Sequence, residues 1–179
     1  MEKFIPLIVI RDLSDTESVL KGLRERGMNT AEITFRTDCA EEAIRLGCKL
    51  FPDMDIGAGT VINGGQCERA LAAGAKFIVS PGLSEEVAAV CKRADVPYYP
   101  GCVTPTEIVR ALELGISTVK FFPASVYGGA KALKALAGPF PQVKFIPTGG
   151  VNYENLEDYL SLGNVAAVGG SFLAGGLGR

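Results

Sequence analysis

Eight short runs of β-branched, aromatic or small residues recur along the chain, at residues 6–10, 30–35, 55–61, 77–81, 98–102, 118–123, 144–150 and 165–171. Amphipathic stretches separate them, such as 14–26, with Val19, Leu20 and Leu23 on one face, and 106–114, with Ile108, Val109 and Leu112. A strand returning every roughly 20 to 26 residues with a helix between demands parallel pairing, because a tight hairpin cannot make that connection. Seven gaps then hold seven helices. Ser84, followed by Glu86 and Val87, and Thr104-Pro105-Thr106-Glu107 read as N-caps. Gly27, Gly47, Gly74 and Gly115 read as C-terminal stops. Eight strand–helix units close into a TIM (β/α)8 barrel, with an open doubly wound sheet as the competing arrangement. One domain over residues 1–179 is expected, since two would be cramped at this length. After Ser171 only a short glycine-rich tail remains, so the final helix is expected to be missing or truncated. The seam it would cover is then expected to meet a neighbouring subunit or to stay exposed.

Histidine is absent from the chain, which removes serine triads and His-ligated zinc from consideration. Chemistry must rest on carboxylates, lysine, tyrosine, thiols or backbone dipoles, and no metal or cofactor is expected. The net charge of -2, with no long run of one sign, disfavours nucleic acid as a partner. No stretch approaches the roughly 20 apolar residues of a membrane span, and residues 1–11 lack a signal-like apolar core. The chain reads as soluble and cytoplasmic. Its five scattered cysteines suit reduced structural thiols better than a zinc or redox motif.

Alternation along a strand places Glu32, Thr34 and Arg36 on one face of the second strand and Thr118, Lys120 and Phe122 on one face of the sixth. If those faces point into the barrel, Lys120 is desolvated, which favours a neutral, nucleophilic amine suited to a Schiff base. The competing reading has Lys120 facing outward or simply neutralised by Glu32. Glu32 can move protons beside an iminium while Arg36 holds a carboxylate, and a plain Glu32–Arg36 bridge is the alternative. Thr148-Gly149-Gly150 and Gly169-Gly170-Ser171 end the last two strands, where barrels build phosphate sites from exposed N–H groups. Arg11, just after the first strand, can add positive charge there. Gly57-Ala58-Gly59-Thr60 lacks the third glycine of a dinucleotide fingerprint and lies within a strand, so nucleotide binding is rejected. Its small residues instead leave room for a ligand, with the Thr60 hydroxyl at hand.

Ala31-Glu-Ile-Thr-Phe-Arg-Thr37, Gly57-Ala-Gly-Thr60, Ser80-Pro-Gly82, Thr104-Pro-Thr-Glu107, Lys120-Phe-Phe-Pro123, Pro147-Thr-Gly-Gly150 and Gly169-Gly-Ser171, in this order, resemble the KDPG/KHG aldolase family from about residue 6 to 173. The resemblance implies a metal-independent class I aldolase, usually a homotrimer. It would cleave 2-dehydro-3-deoxy-6-phosphogluconate to pyruvate and glyceraldehyde 3-phosphate, and in many members 4-hydroxy-2-oxoglutarate to pyruvate and glyoxylate. By motif match Lys120 is the Schiff-base lysine and Glu32 the general acid/base. Arg36, Thr60 and Pro81 surround the pyruvoyl carboxylate, and Thr148 tunes the aldehyde half. Gly149, Gly150, Gly170 and Ser171 hold the phosphate, with Arg11 as helper. Compared with the family, the N-terminal and C-terminal helices are expected to be missing, which leaves the segment after Ser171 without its usual support. A non-catalytic barrel scaffold and a sugar-phosphate isomerase or epimerase remain the rival readings.

Overall fold

The computed structural model describes residues 2–177. Strands and helices alternate as β1 Phe4–Ile8, α1 Thr16–Glu25, β2 Thr30–Thr34, α2 Ala40–Leu50, β3 Asp55–Gly59, α3 Gly64–Ala72, β4 Ile78–Val79 and α4 Glu85–Ala94. The second half continues as β5 Tyr98–Tyr99, α5 Pro105–Glu113, β6 Thr118–Phe121, α6 Gly129–Leu136, β7 Lys144–Pro147, α7 Leu156–Leu160 and β8 Val168–Gly170. Every ladder is parallel, in the order β5-β4-β3-β2-β1-β8 and, separately, β6-β7. Isolated parallel bridges, Gly101 to Lys120 on one side and Phe145 to Val165 and Thr148 to Gly169 on the other, join the two sheets into a closed ring. The ring is the expected barrel; the open sheet is not formed.

Alternation sorts the side chains into layers. Ile33, Ile56 and Ile78 point outward into one cluster with α1 to α4, while Val119, Phe121, Phe145 and Val168 enter a second with α5 to α7. Inward, Ile5, Phe77, Val79, Ile146 and Ala167 fill the barrel, with Tyr99 against them. Charged residues on the same inward faces must therefore lie above this plug, toward the C-terminal ends of the strands.

Start signals hold: the Ser84 side chain accepts from Val87 N, and Thr104 and Glu107 form a capping box with Pro105 at the first turn. Gly27, Gly74 and Gly115 end helices at positive φ. Gly47 does not. It lies inside α2, where a Cβ would come within 2.7 Å of Leu20 Cδ1 and 2.9 Å of Ile56 Cδ1. Its role is close packing of α2 on the sheet rather than termination.

After β8 the described residues form a 3-10 turn, Ser171–Ala174, packed on β1. Leu173 and Ala174 are buried there. Two side chains hold this turn. Arg26 Nη1 donates to the Ala174 carbonyl at 3.0 Å, and Tyr153 packs edge-on against Phe172 with ring centroids 5.0 Å apart.

Candidate active site

Lys120 is the third residue of β6, between outward Val119 and Phe121, so its side chain enters the barrel. Glu32 enters from β2 across the lumen. Both are almost fully buried, at 3% and 2% exposure, and Lys120 Nζ lies 3.4 Å from Glu32 Oε1. Burial at that depth is costly for either charge alone, so each ion requires the other. The Phe122 ring flanks the amine, 5.1 Å from Nζ to its centroid.

Room for the carboxylate comes from β3. Glu32 is in register with Gly57 and reaches over Gly59, where a Cβ would fall within van der Waals overlap, 2.5 Å from Glu32 Cγ. A Cβ on Gly57 would instead strike the Phe77 ring. The two glycines of Gly57-Ala-Gly-Thr60 thus make space for different neighbours, one for the plug and one for the acid.

Thr60 follows with φ 58, a left-handed conformation that is a real outlier for a β-branched residue. Its hydroxyl accepts from Arg36 Nε at 3.0 Å. Arg36 is exposed at the rim and leaves its outer N–H groups for an anion. Glu32 therefore pairs with Lys120 and Arg36 with Thr60; the bridge along the face of β2 does not form. The loops that carry these groups are anchored locally. Thr37 Oγ1 donates to the Ile10 carbonyl at 2.6 Å, and Asn63 caps α3 by accepting from Gln66 N at 2.9 Å.

Pro81 stands exposed at the end of β4, and its carbonyl lies so close to Gly101 that a Cβ there would collide with it. Tyr98 secures the same loop: its hydroxyl accepts from Ser84 N at 3.2 Å and donates to the Gly82 carbonyl. Burial pushes that phenol up to about 12, so it remains a neutral donor.

Thr148 is buried at the top of β7, bridged to Gly169 on β8, where a Cβ would lie 2.5 Å from Thr148 Oγ1. Gly149 and Gly150 follow at φ 87 and 78, which favours glycine at both positions. Asn155 Nδ2 holds the Gly150 carbonyl at 3.0 Å. Gly170 is buried in extended backbone, and Ser171 is exposed at the start of the 3-10 turn. Arg11 is exposed and lines a separate groove with Asp15, Ser18, Gly176 and Leu177. The structure thus groups Lys120, Glu32 and Thr148 among the buried polar residues, with Arg36, Thr60 and Pro81 on neighbouring strand ends and Arg11 exposed just after β1.

Two neighbours of the pair were on the right strand faces in sequence but carried no sign of a role. Phe122 is one. Thr34 is the other, fully buried on the face of Glu32 with no hydrogen-bond partner for its hydroxyl. Among the described residues no group of three or more His, Cys, Asp or Glu side chains is placed to hold a metal ion. No helix among them is long and apolar enough to cross a membrane.

A buried amine beside a buried acid at the C-terminal mouth of a (β/α)8 barrel is the equipment of an enzyme that works on carbonyl compounds through covalent catalysis. The sequence model of the KDPG and KHG aldolase family matches residues 1–176, and the chain belongs to that family. It is 44% identical over 169 residues to the 2-dehydro-3-deoxy-phosphogluconate aldolase of Dickeya dadantii (strain 3937), covering 94% of this chain and 79% of that protein. It is 43% identical over 169 residues to the KHG/KDPG aldolase of Escherichia coli (strain K12), with the same coverages. A solved KDPG aldolase from Legionella pneumophila, with pyruvate captured at low pH as a covalent carbinolamine intermediate, superposes with a TM-score of 0.92. That match is at 45% identity over 95% of this chain and 82% of that one.

Proposed function

We propose that the chain is a class I aldolase that cleaves 2-dehydro-3-deoxy-6-phosphogluconate to pyruvate and glyceraldehyde 3-phosphate, and takes 4-hydroxy-2-oxoglutarate as a smaller substrate. The observation that carries this reading is the buried contact of 3.4 Å between Lys120 and Glu32 at the barrel mouth. The amine of Lys120 attacks the C2 carbonyl and water leaves, so that the protonated imine can accept electrons as the C3–C4 bond breaks. Glu32 takes the proton of the C4 hydroxyl and returns one to C3 of the enamine. Hydrolysis then frees pyruvate and restores the amine. One amine and one acid complete the cycle, which agrees with a chain that has no histidine.

In the same reading Arg36, Thr60 and the Pro81 carbonyl frame the pyruvoyl end, and Thr148 borders the aldehyde half. The N–H groups of Gly149, Gly150, Gly170 and Ser171 take the phosphate. Arg11, exposed just after the first strand, adds positive charge there as a helper. The assembly is read as a homotrimer in the cytoplasm, and the free thiols suit a reducing compartment. A sugar-phosphate isomerase would use the glycine turns without needing a nucleophilic lysine, and a scaffold would need neither.

Incubation with pyruvate and sodium borohydride, followed by peptide mass analysis, is expected to place a pyruvate-sized adduct on Lys120 alone. A folded chain that takes up no adduct would rule out the Schiff base. The phosphate assignment is checked separately: kcat/KM is expected to be at least about tenfold higher for the phosphorylated 2-oxo acid than for its unphosphorylated analogue, about 1.4 kcal/mol. Equal values would remove the glycine turns from the site.

Gly59→Ala is expected to displace the Glu32 carboxylate and lower kcat on the order of 100-fold, the effect of misplacing a catalytic group by about 1 Å. Gly57→Ala, two residues earlier, is expected to lower stability by about 1–3 kcal/mol through overpacking against Phe77. Thermal melts and initial rates on both variants separate the two outcomes; equal losses of activity at equal stability would contradict the division.

A further inference from the structure

Cys67 and Cys91 lie outside the barrel mouth and take no part in the reaction above. Both are buried between the sheet and the helices, Cys67 in α3 and Cys91 in the neighbouring α4. Their sulfurs are 3.5 Å apart, in van der Waals contact across the helix–helix seam. An approach of about 1.5 Å would bring them to disulfide bonding distance. The other thiols are occupied differently: Cys39 faces Thr37 and the Ile10 carbonyl, and Cys48 the Gly74 carbonyl. Burial pushes the Cys102 thiol up to about 12. Cys67 and Cys91 are the only thiols in mutual contact among the described residues.

Cys91 forms part of the wall of an open groove of about 370 Å³ that runs from Ala88 and Lys92 on α4 to Ile116 and Thr118 ahead of and within β6. Cys67 does not line this groove and both thiols are buried, so a small oxidant reaches the pair as the α3–α4 seam opens.

We propose that Cys67 and Cys91 are a dithiol oxidation site, converted to an intrachain disulfide by a small peroxide. One sulfur attacks a peroxide oxygen, the O–O bond breaks, and hydroxide leaves with the thiol proton as water. The second sulfur displaces the hydroxyl of the resulting sulfenic acid, the S–S bond forms, and a second water leaves. The peroxide gains two electrons and the two thiols lose them. Either thiol can donate to the other, so whichever sulfur gives up its proton keeps the remaining S–H as a partner. The bond would tie together the helices that follow two substrate loops: α3 starts at Gly64, just beyond Thr60, and α4 at Glu85, just beyond Pro81.

The test treats the native chain with limiting hydrogen peroxide, alkylates the remaining thiols and maps the peptides. The expected product has lost two hydrogens per chain, keeps three of its five thiols alkylatable and contains a Cys67–Cys91 linked peptide that dithiothreitol reverses. Cys67→Ser and Cys91→Ser are each expected to abolish that peptide, and peroxide treatment in denaturant to scatter the pairings. Five free thiols after treatment, a native link between other cysteines, or the same pairing in denaturant would overturn the proposal. The wild-type peptide map decides the matter even if a serine variant fails to fold.

Discussion

Lys120→Ala is expected to lower kcat by on the order of 10⁴-fold or more, the scale of losing a covalent nucleophile, and to take up no pyruvate under borohydride. The substitution also strands Glu32 in a dry site, and breaking a buried ion pair costs about 3–5 kcal/mol. Loss of activity could then reflect loss of fold. Lys120→Arg separates the two effects, because guanidinium keeps the cation near Glu32 but does not form the imine. The arginine variant is expected to melt closer to the parent than the alanine variant does and to be as inactive. A folded Lys120→Arg chain that retains more than a few per cent of turnover would remove Lys120 from the mechanism.

Glu32→Gln is expected to cost about 10² to 10⁴ in kcat, the usual contribution of a positioned acid or base. The lysine survives, so borohydride trapping of pyruvate should still label Lys120, more slowly. This split between retained adduct and lost cleavage is the signature of a proton-transfer role. A purely structural partner would lower stability and leave the rate of the folded fraction intact. Turnover within tenfold of the parent, corrected for folded protein, would assign the proton transfer elsewhere.

The barrel was legible from the regular return of strand and helix, and the faces of its chemical pair from the period of two within each strand. Parity placed Lys120 and Glu32 opposite their apolar neighbours but left the inward face open, and the burial of Val119, Phe121, Ala31 and Ile33 against the helices decides it. Strand ends were less legible. Residues 98–102 and 165–171 read as strands, yet the ladders stop at Tyr98–Tyr99 and start at Val168. The residues beyond make single bridges, such as Gly101 to Lys120 and Phe145 to Val165, where the ring closes and continuous pairing is lost. Gly47 misled for a related reason: glycine marks both a helix end and a tight helix–sheet contact, and only the neighbour that fills the space distinguishes them. Contacts between distant segments left no local pattern. The grip of Arg26 on the Ala174 carbonyl spans 148 positions of sequence, and no spacing rule anticipates it.

Thr60 is the one β-branched residue among the described residues held at positive φ, and its hydroxyl accepts from Arg36. A backbone of this kind stores on the order of 1–3 kcal/mol that the rest of the barrel must offset. Glycine there would relax the chain, so any selection for thermostability alone would favour it, and would discard the hydroxyl that orients the rim arginine. The position therefore marks where robustness and recognition compete within a single residue, and where laboratory evolution of a hardier catalyst would be expected to stall.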